Sequence, residues 1–286
     1  MAAQEIIRRS VDANEKDWNA APAYAHQERD VDAKGEEKTD RTWDVFQMDG
    51  SPYRRLLASE GHPLSTARQR QEEQKEKREL ARRRSESPEE RQARIRKYQK
   101  ERDQDHLLMT QMQVAFNFRL VGDATLSGHP VYVLDAQPRP DYRPANHEAK
   151  VLLGMKGTLW VDKAEFHWAK VEAEVVRPVT FGGFLAKVGP GTKFLLEKEP
   201  VGDRIWQPKR FFVNVVASVL FWEHDSTSEE TFMDYHPSAA ISSMPRRESD
   251  SHRGLHLPQL TLQLRQPLFD LLLRFAPLDD HLAIAP

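Results

Sequence analysis

Residues Phe166 to Val176 read Phe-His-Trp-Ala-Lys-Val-Glu-Ala-Glu-Val-Val, and this run constrains the fold more than any other part of the chain. As an extended strand it places Ala169, Val171, Ala173 and Val175 on one face and Lys170, Glu172 and Glu174 on the other. A period of two, one face dry and one wet, is what an antiparallel sheet over a core requires. Similar signals fill the chain from Val114 to Tyr235. Phe116, Phe118 and Leu120 alternate with Asn117 and Arg119, and Ser127-Gly128 turns the chain into Val131-Tyr132-Val133-Leu134. Thr158 to Asp162 reads as a strand that turns through Lys163-Ala164-Glu165 into the alternating run. Phe194 to Glu199, a turn at Gly202-Asp203 and a long strand from Ile205 to Trp222 follow. The second half of that strand is apolar on both sides, with Phe211, Val213 and Val215 on one and Phe212 and Val216 on the other. Both faces are therefore expected to be covered.

The first hundred residues differ. Ile6, Ile7, Val11 and Trp18 recur at roughly helical spacing among polar residues, which predicts a helix over 3–18. From Tyr24 the chain is extended. Turn signals at Asp32-Ala33-Lys34-Gly35 and Asp49-Gly50-Ser51-Pro52 separate a returning strand over Thr39 to Met48 from a short one through Tyr53, Leu56 and Leu57. Ser65 to Asp105 is almost entirely Arg, Lys, Glu and Gln. Ser87-Pro88-Glu89-Glu90 combines an N-cap serine, a first-turn proline and a capping-box glutamate, so two helices broken near Ser85 are expected. A basic nucleic-acid arm is the sharper reading of this stretch. Interleaved opposite charges and the lack of aromatics spaced for base stacking favour a solvated helical insertion held by ion pairs four residues apart. After Pro237 the chain turns polar and then leucine-rich, broken by Pro258, Pro267 and Pro277, and does not continue the strand pattern.

Composition removes whole classes of function. The chain has 286 residues, 39% of them hydrophobic, and a formal net charge of -2, so no global field draws nucleic acid or an acidic membrane. With no cysteine there are no disulfides, thiolate metal sites or cysteine nucleophiles. No apolar run is long enough for a transmembrane helix, and Met1 to Glu5 leads straight into polar sequence with no signal peptide.

Four motifs deserve a chemical test. Gly189-Pro190-Gly191-Thr192-Lys193 suggests a phosphate loop, but Thr precedes Lys and a strand follows where a helix should begin. His252 and His256 have zinc-helix spacing, yet Gly254 and the absence of a glutamate base argue against it. His224, Asp225 and His236 could converge if their strands pair, and a hydrolase would take His224 or His236 as base; surface histidines are the simpler reading. Glu172 and Glu174 alternate with Lys170 on the wet face, where cross-strand ion pairs explain them better than acid–base chemistry. No catalytic residue, metal ligand or cofactor is expected.

Gly157 to Lys163, Phe166 to Glu174, Arg204-Ile205-Trp206-Gln207-Pro208-Lys209-Arg210 and Val131 to Leu134 together resemble outer-membrane lipoprotein-sorting proteins of the LolA/LolB type, in an envelope branch with a charged helical insertion. The resemblance spans about residues 4 to 235. It implies an α+β, mainly β fold: a curved antiparallel sheet forming an incomplete β-barrel, with helices over its concave side. It divides the chain into a LolA-like domain over 1–237, with the insertion at 62–112, and a tail over 238–286 that is not family-like. That tail is either a foreign end or a leucine-rich plug in the hollow. The function implied is a non-enzymatic periplasmic carrier or sensor for lipid or lipoprotein acyl chains, its export signal removed. The lining is expected from Ala169, Val171, Ala173, Val175, Phe211, Val213 and Val215, and a mobile lip from Phe181, Phe184 and Leu185. Ordinary core packing is the competing reading of each. The alternative function is an envelope interaction module, its charged helices binding a protein partner.

Overall fold

The computed structural model describes residues 1–146, 148–181, 186–219 and 222–238. Helix α1 (Ala3–Ala20) opens the chain, and a 3₁₀ turn carrying Pro22 delivers it into β1 (Tyr24–Lys34), β2 (Glu37–Met48), β3 (Ser51–Ser59) and the two-residue β4 (His62–Pro63). β1 runs through most of the expected turn, and the reversal falls at Gly35-Glu36. Asp49 and Gly50, with φ of 45° and 89°, both lie in the left-handed region, as the tight β2–β3 hairpin turn requires; Ser127-Gly128 does the same further on.

Two helices follow, α2 (Thr66–Arg84) and α3 (Pro88–Ala115). The capping box at Ser87 is present in full: its hydroxyl accepts from Glu90 N–H, and the Glu90 carboxylate accepts from Ser87 N–H. α3 runs to Ala115, past Val114, where the strand signals of the sequence begin. The remaining strands follow: β5 (Phe116–Leu126), β6 (His129–Pro138), β7 (Met155–Asp162), β8 (Trp168–Val175), β9 (Val179–Phe181), β10 (Ala186–Val188), β11 (Lys193–Gly202), β12 (Ile205–Val219) and β13 (Trp222–Pro237). A 3₁₀ segment, Glu148–Gly154, precedes β7.

All thirteen strands join one sheet in the order β4-β3-β2-β1-β13-β12-β11-β8-β7-β6-β5, with β10 bridging β12 and β9. Every pairing is antiparallel. The sheet does not close, because β4 and β5 are its two edges. α2 and α3 run from one edge to the other. The charged stretch is thus the crossover that joins the two halves of the sheet.

The crossover is also tied down, which corrects the expectation of a merely solvated insertion. Arg83 is buried and donates to the Met48, Ser51 and Pro52 carbonyls at 2.6, 3.0 and 3.2 Å, capping the β2–β3 turn. Arg94 donates to Ser51 Oγ and to the Asp49 carbonyl. Trp18 at the end of α1 stacks on His106 and lies under the Arg102 guanidinium, one turn apart on α3.

Candidate ligand-binding face

One face of the sheet is covered by helices. Under the start of α1, Ile6 packs on Leu134, Leu159, Val161 and Trp168, so β6, β7 and β8 form a dry wall there. Under the end of α3 and the 3₁₀ segment, Phe116, Val151, Leu152, Val175, Val179, Phe181 and Val188 make a second cluster.

Register carries that wall across the sheet. Val171 pairs with Leu196, Leu196 with Phe211, Phe211 with Glu230 and Glu230 with Asp30. The next row runs Ala173, Phe194, Val213, Ser228, Asp32. Directly paired residues of an antiparallel sheet share a face. The face is therefore apolar on β8, β11 and β12 and turns polar and acidic on β13 and β1.

Of the residues expected to line a hollow, Val175, Val213 and Val215 are buried and Val171, Ala173 and Phe211 half-buried along this face. Ala169 is a correction. The β7–β8 register slips between Trp160 and Val161, so Trp168 and Val171 both point under α1, while Ala169 packs on the opposite face against Val131 and Trp206. A β-bulge reverses the alternation on either side of it. Phe181 sits inside the second core cluster, and Phe184 and Leu185 lie outside the described residues. So do His252, His256 and the tail beyond Ser238.

The other face of β12 is less covered than its sequence predicts. Phe212 and Val216 stay half-buried; Phe212 borders an open groove of about 570 Å³ with Glu172, Glu174, Lys156 and Lys193, and Val216 lies beneath the Gly189 to Thr192 turn. Thr192 Oγ1 donates to the Val216 carbonyl and accepts from its N–H, so the glycine-rich sequence is a β-turn stitched to β12. Glu174 pairs with Lys156 across β7–β8 at 3.0 Å, the cross-strand ion pair expected. Asp225 and His236 stand near opposite ends of β13 and both are exposed, so they do not converge.

Two buried polar groupings escape sequence reasoning. The first holds α1 to the sheet. Asp17 Oδ2 lies 3.0 Å from His167 Nδ1 and accepts from Lys198 Nζ at 2.5 Å; Asp17 Oδ1 accepts from Trp206 N–H at 2.8 Å. Asn14 Oδ1 also accepts from Lys198, and Ser10 Oγ accepts from Trp168 Nε1. Ser10, Asn14 and Asp17 share the buried side of α1 with Ile6 and Trp18. Burial pushes the Lys198 ammonium down, against the pull of Asp17. Beside this clamp lies a space of only about 30 Å³, bordered by Trp18, Met109, Leu196 and Pro208.

The second grouping is the acidic end of the register row. Glu28, Asp30 and Glu230 bring carboxylate oxygens within 4.8 Å of one another. Arg54 donates to Glu28 Oε1 at 2.8 Å and to Asp30 Oδ2 at 2.6 Å, and Trp43 Nε1 donates to Asp30 Oδ2. Burial and then the Glu28 charge push Asp30 up to about 7, and burial first raises Glu230 well above the carboxylate range. His26, stacked on Tyr235 and tilted against Phe232, is pushed down to about 3 by burial and by Arg54. No motif could reveal this group, since some two hundred residues separate its two strands.

No family model matches the chain, and no curated protein does. Among solved structures it is similar to a LolA superfamily protein from Nitrosomonas europaea, at 10% identity over 82% of this chain and 93% of that one, with a TM-score of 0.33. It is similar also to an outer membrane lipoprotein-sorting protein domain from Vibrio parahaemolyticus, at 12% identity over 83% and 94%, with a TM-score of 0.35. A third likeness is to the Pseudomonas aeruginosa MucA/MucB complex, at 11% identity over 83% and 99%, with a TM-score of 0.22. Likeness at this level leaves ligand and partner to be read from the chain's own geometry.

Proposed function

We propose that the chain is a non-enzymatic envelope carrier or sensor that holds an acyl chain of a lipid or lipoprotein against the helix-covered face of its sheet. The observation that supports this reading is the apolar register block of Val171, Leu196 and Phe211 beside Ala173, Phe194 and Val213. All of these side chains but Val213 keep some exposed surface although they sit on the dry face. Val175, Val213 and Val215 form the floor, with Phe181 buried beside Val175 in the second core cluster; Ala169 takes no part, because it faces away. Each methylene taken from water by such a wall contributes about 0.8 kcal/mol, so a single acyl chain binds without any acid, base or metal at the carrier step. No described helix is long and apolar enough to cross a membrane, and a periplasmic location follows from the carrier reading.

The clamp at Asp17 gives this function a moving part. The space beside α1 is about that of one water, so an acyl chain needs α1 displaced from the sheet before it can enter there. Displacement breaks the hydrogen bonds of the clamp and uncovers the wall of Leu134, Leu159, Val161 and Trp168 on which Ile6 packs. The same tight fit favours a second reading, an interaction module whose sheet is closed by its own helices and whose arginine-rich α2 meets an envelope protein.

Mass spectrometry of the natively purified protein separates the two. The carrier reading expects co-purifying phospholipid or fatty acid, released when α1 is loosened by Asp17→Ala. Protein that arrives bare, and that takes up no fluorescent fatty acid in either form, would leave the interaction module as the function.

A further inference from the structure

We propose that Glu28, Asp30 and Glu230 form a binding site for a divalent metal cation, held between β1 and β13. The geometry is built by the sheet. Asp30 and Glu230 are direct register partners, Glu28 lies two residues along the same face of β1, and one oxygen from each falls within 4.8 Å of the others. Glu28 and Glu230 are 2% and 3% exposed, so the group is largely out of water.

The single cation present does not satisfy it. Arg54 engages only the first oxygen of Glu28 and one of Asp30. Asp30 Oδ1 and Glu230 Oε2 remain buried with no hydrogen-bond partner. Three carboxylates share one guanidinium, so ionising all three would leave two negative charges, which a dication cancels and a second arginine would only halve. Buried charges persist where they are paired or bound to metal.

An independent side chain points the same way. His26 is fully buried and neither of its ring nitrogens has a hydrogen-bond partner, although the ring is fixed between Phe232 and Tyr235. Its Nε2 faces Glu28 Oε2 at 3.8 Å, too long for a hydrogen bond and close enough for a shared ion to draw both in. Carboxylate oxygens with one neutral imidazole at the rim suit a first-row dication such as Mn²⁺ or Zn²⁺ better than a monovalent ion. Asp30, the half-buried member, opens the way in.

The site lies on the same face as the apolar block but does not depend on any lipid. Chelator-treated full-length protein dialysed against Mn²⁺, with bound ion read by loss of the free-ion paramagnetic resonance signal, should retain one equivalent per chain. Thermal melting should shift upward on adding Mn²⁺. Glu230→Gln and Asp30→Asn, both close in shape to the residues they replace, should each weaken retention about tenfold or more and remove the melting shift. Glu172→Gln, in the groove on the other face, should change neither. Wild-type protein that retains no Mn²⁺, Zn²⁺ or Ca²⁺ overturns the proposal, and so does retention that survives both Glu230→Gln and Asp30→Asn.

Discussion

Asp17 and His26 show how much of this molecule is decided by single buried polar residues. Asp17 uses both carboxylate oxygens on three partners from β11, β12 and the turn before β8, so one side chain fixes the angle of α1 on the sheet. In the sequence it looks like one more charge on a polar helix. The apolar spacing of Ile6 and Trp18 located the helix correctly, but not the polar stripe between them, because hydropathy cannot tell a solvated polar residue from one whose partners lie 150 residues away. His26 lends itself to a pH test. Its folded value of about 3 lies below the ordinary 6.5, so the unfolded chain takes up a proton that the native protein refuses. Its stabilising share is complete above pH 6.5 and is lost as pH falls toward 3. Asp30 runs the other way: raised to about 7, it contributes most below pH 4 and loses that share as pH rises through 7. In metal-free protein, His26→Phe should gain on wild type by about 3 kcal/mol between pH 7 and pH 4, measured by urea unfolding at each pH. Parallel pH profiles would show that His26 does not titrate as its burial demands.

Among the elements, the crossover of α2 and α3 departs furthest from its sequence. Charge interleaving and the capping box at Ser87 were readable and correct. The role of Arg83 was not: among the many arginines from Arg68 to Arg102 nothing marks the one that will cap a hairpin turn. The two features differ in cost. Ser87→Ala removes one cap and should lower stability by about 1 kcal/mol. Arg83→Ala strands three carbonyl oxygens of the β2–β3 turn and should cost about 3 kcal/mol, with the earliest hydrogen exchange at Met48 to Tyr53. Equal losses for the two variants would mean that the helices only lie on the hairpin. The strands give the converse lesson. Alternation placed Val171, Ala173, Phe211, Val213 and Val215 on the helix-covered face, and it failed at Ala169 because a bulge adds a residue that no pattern of two can announce. The candidate site was legible wherever it is apolar and periodic, and illegible where it is acidic and assembled from distant strands.

For the whole molecule, several local turns were legible and the order of the strands across the sheet was not. Turns such as Asp49-Gly50 and Ser127-Gly128 could be read from their residues, but the β12–β13 hairpin, which pairs Val219 with Trp222, falls inside the single strand expected over Ile205 to Trp222, and nothing near β1 says that its second neighbour is β13. That pairing runs the full length of β1, from Tyr24 against Pro237 to Lys34 against Ser226. It predicts that the chain can be cut in the short link between α2 and α3 without coming apart. Fragments 1–86 and 87–286 expressed together should co-purify and give the circular dichroism of the intact protein. Fragments that separate on a sizing column would show that the covalent link, and not the β1–β13 seam, unites the halves. The seam also bears on how the protein is made. The first ribbon to leave the ribosome, β1 to β3, has an open flank until the last described strand is synthesised, and contacts so distant in sequence are slow to form. Assembly must therefore wait for a finished chain. Throughout synthesis that flank is a row of unsatisfied amides and carbonyls, the feature most in need of a chaperone's protection.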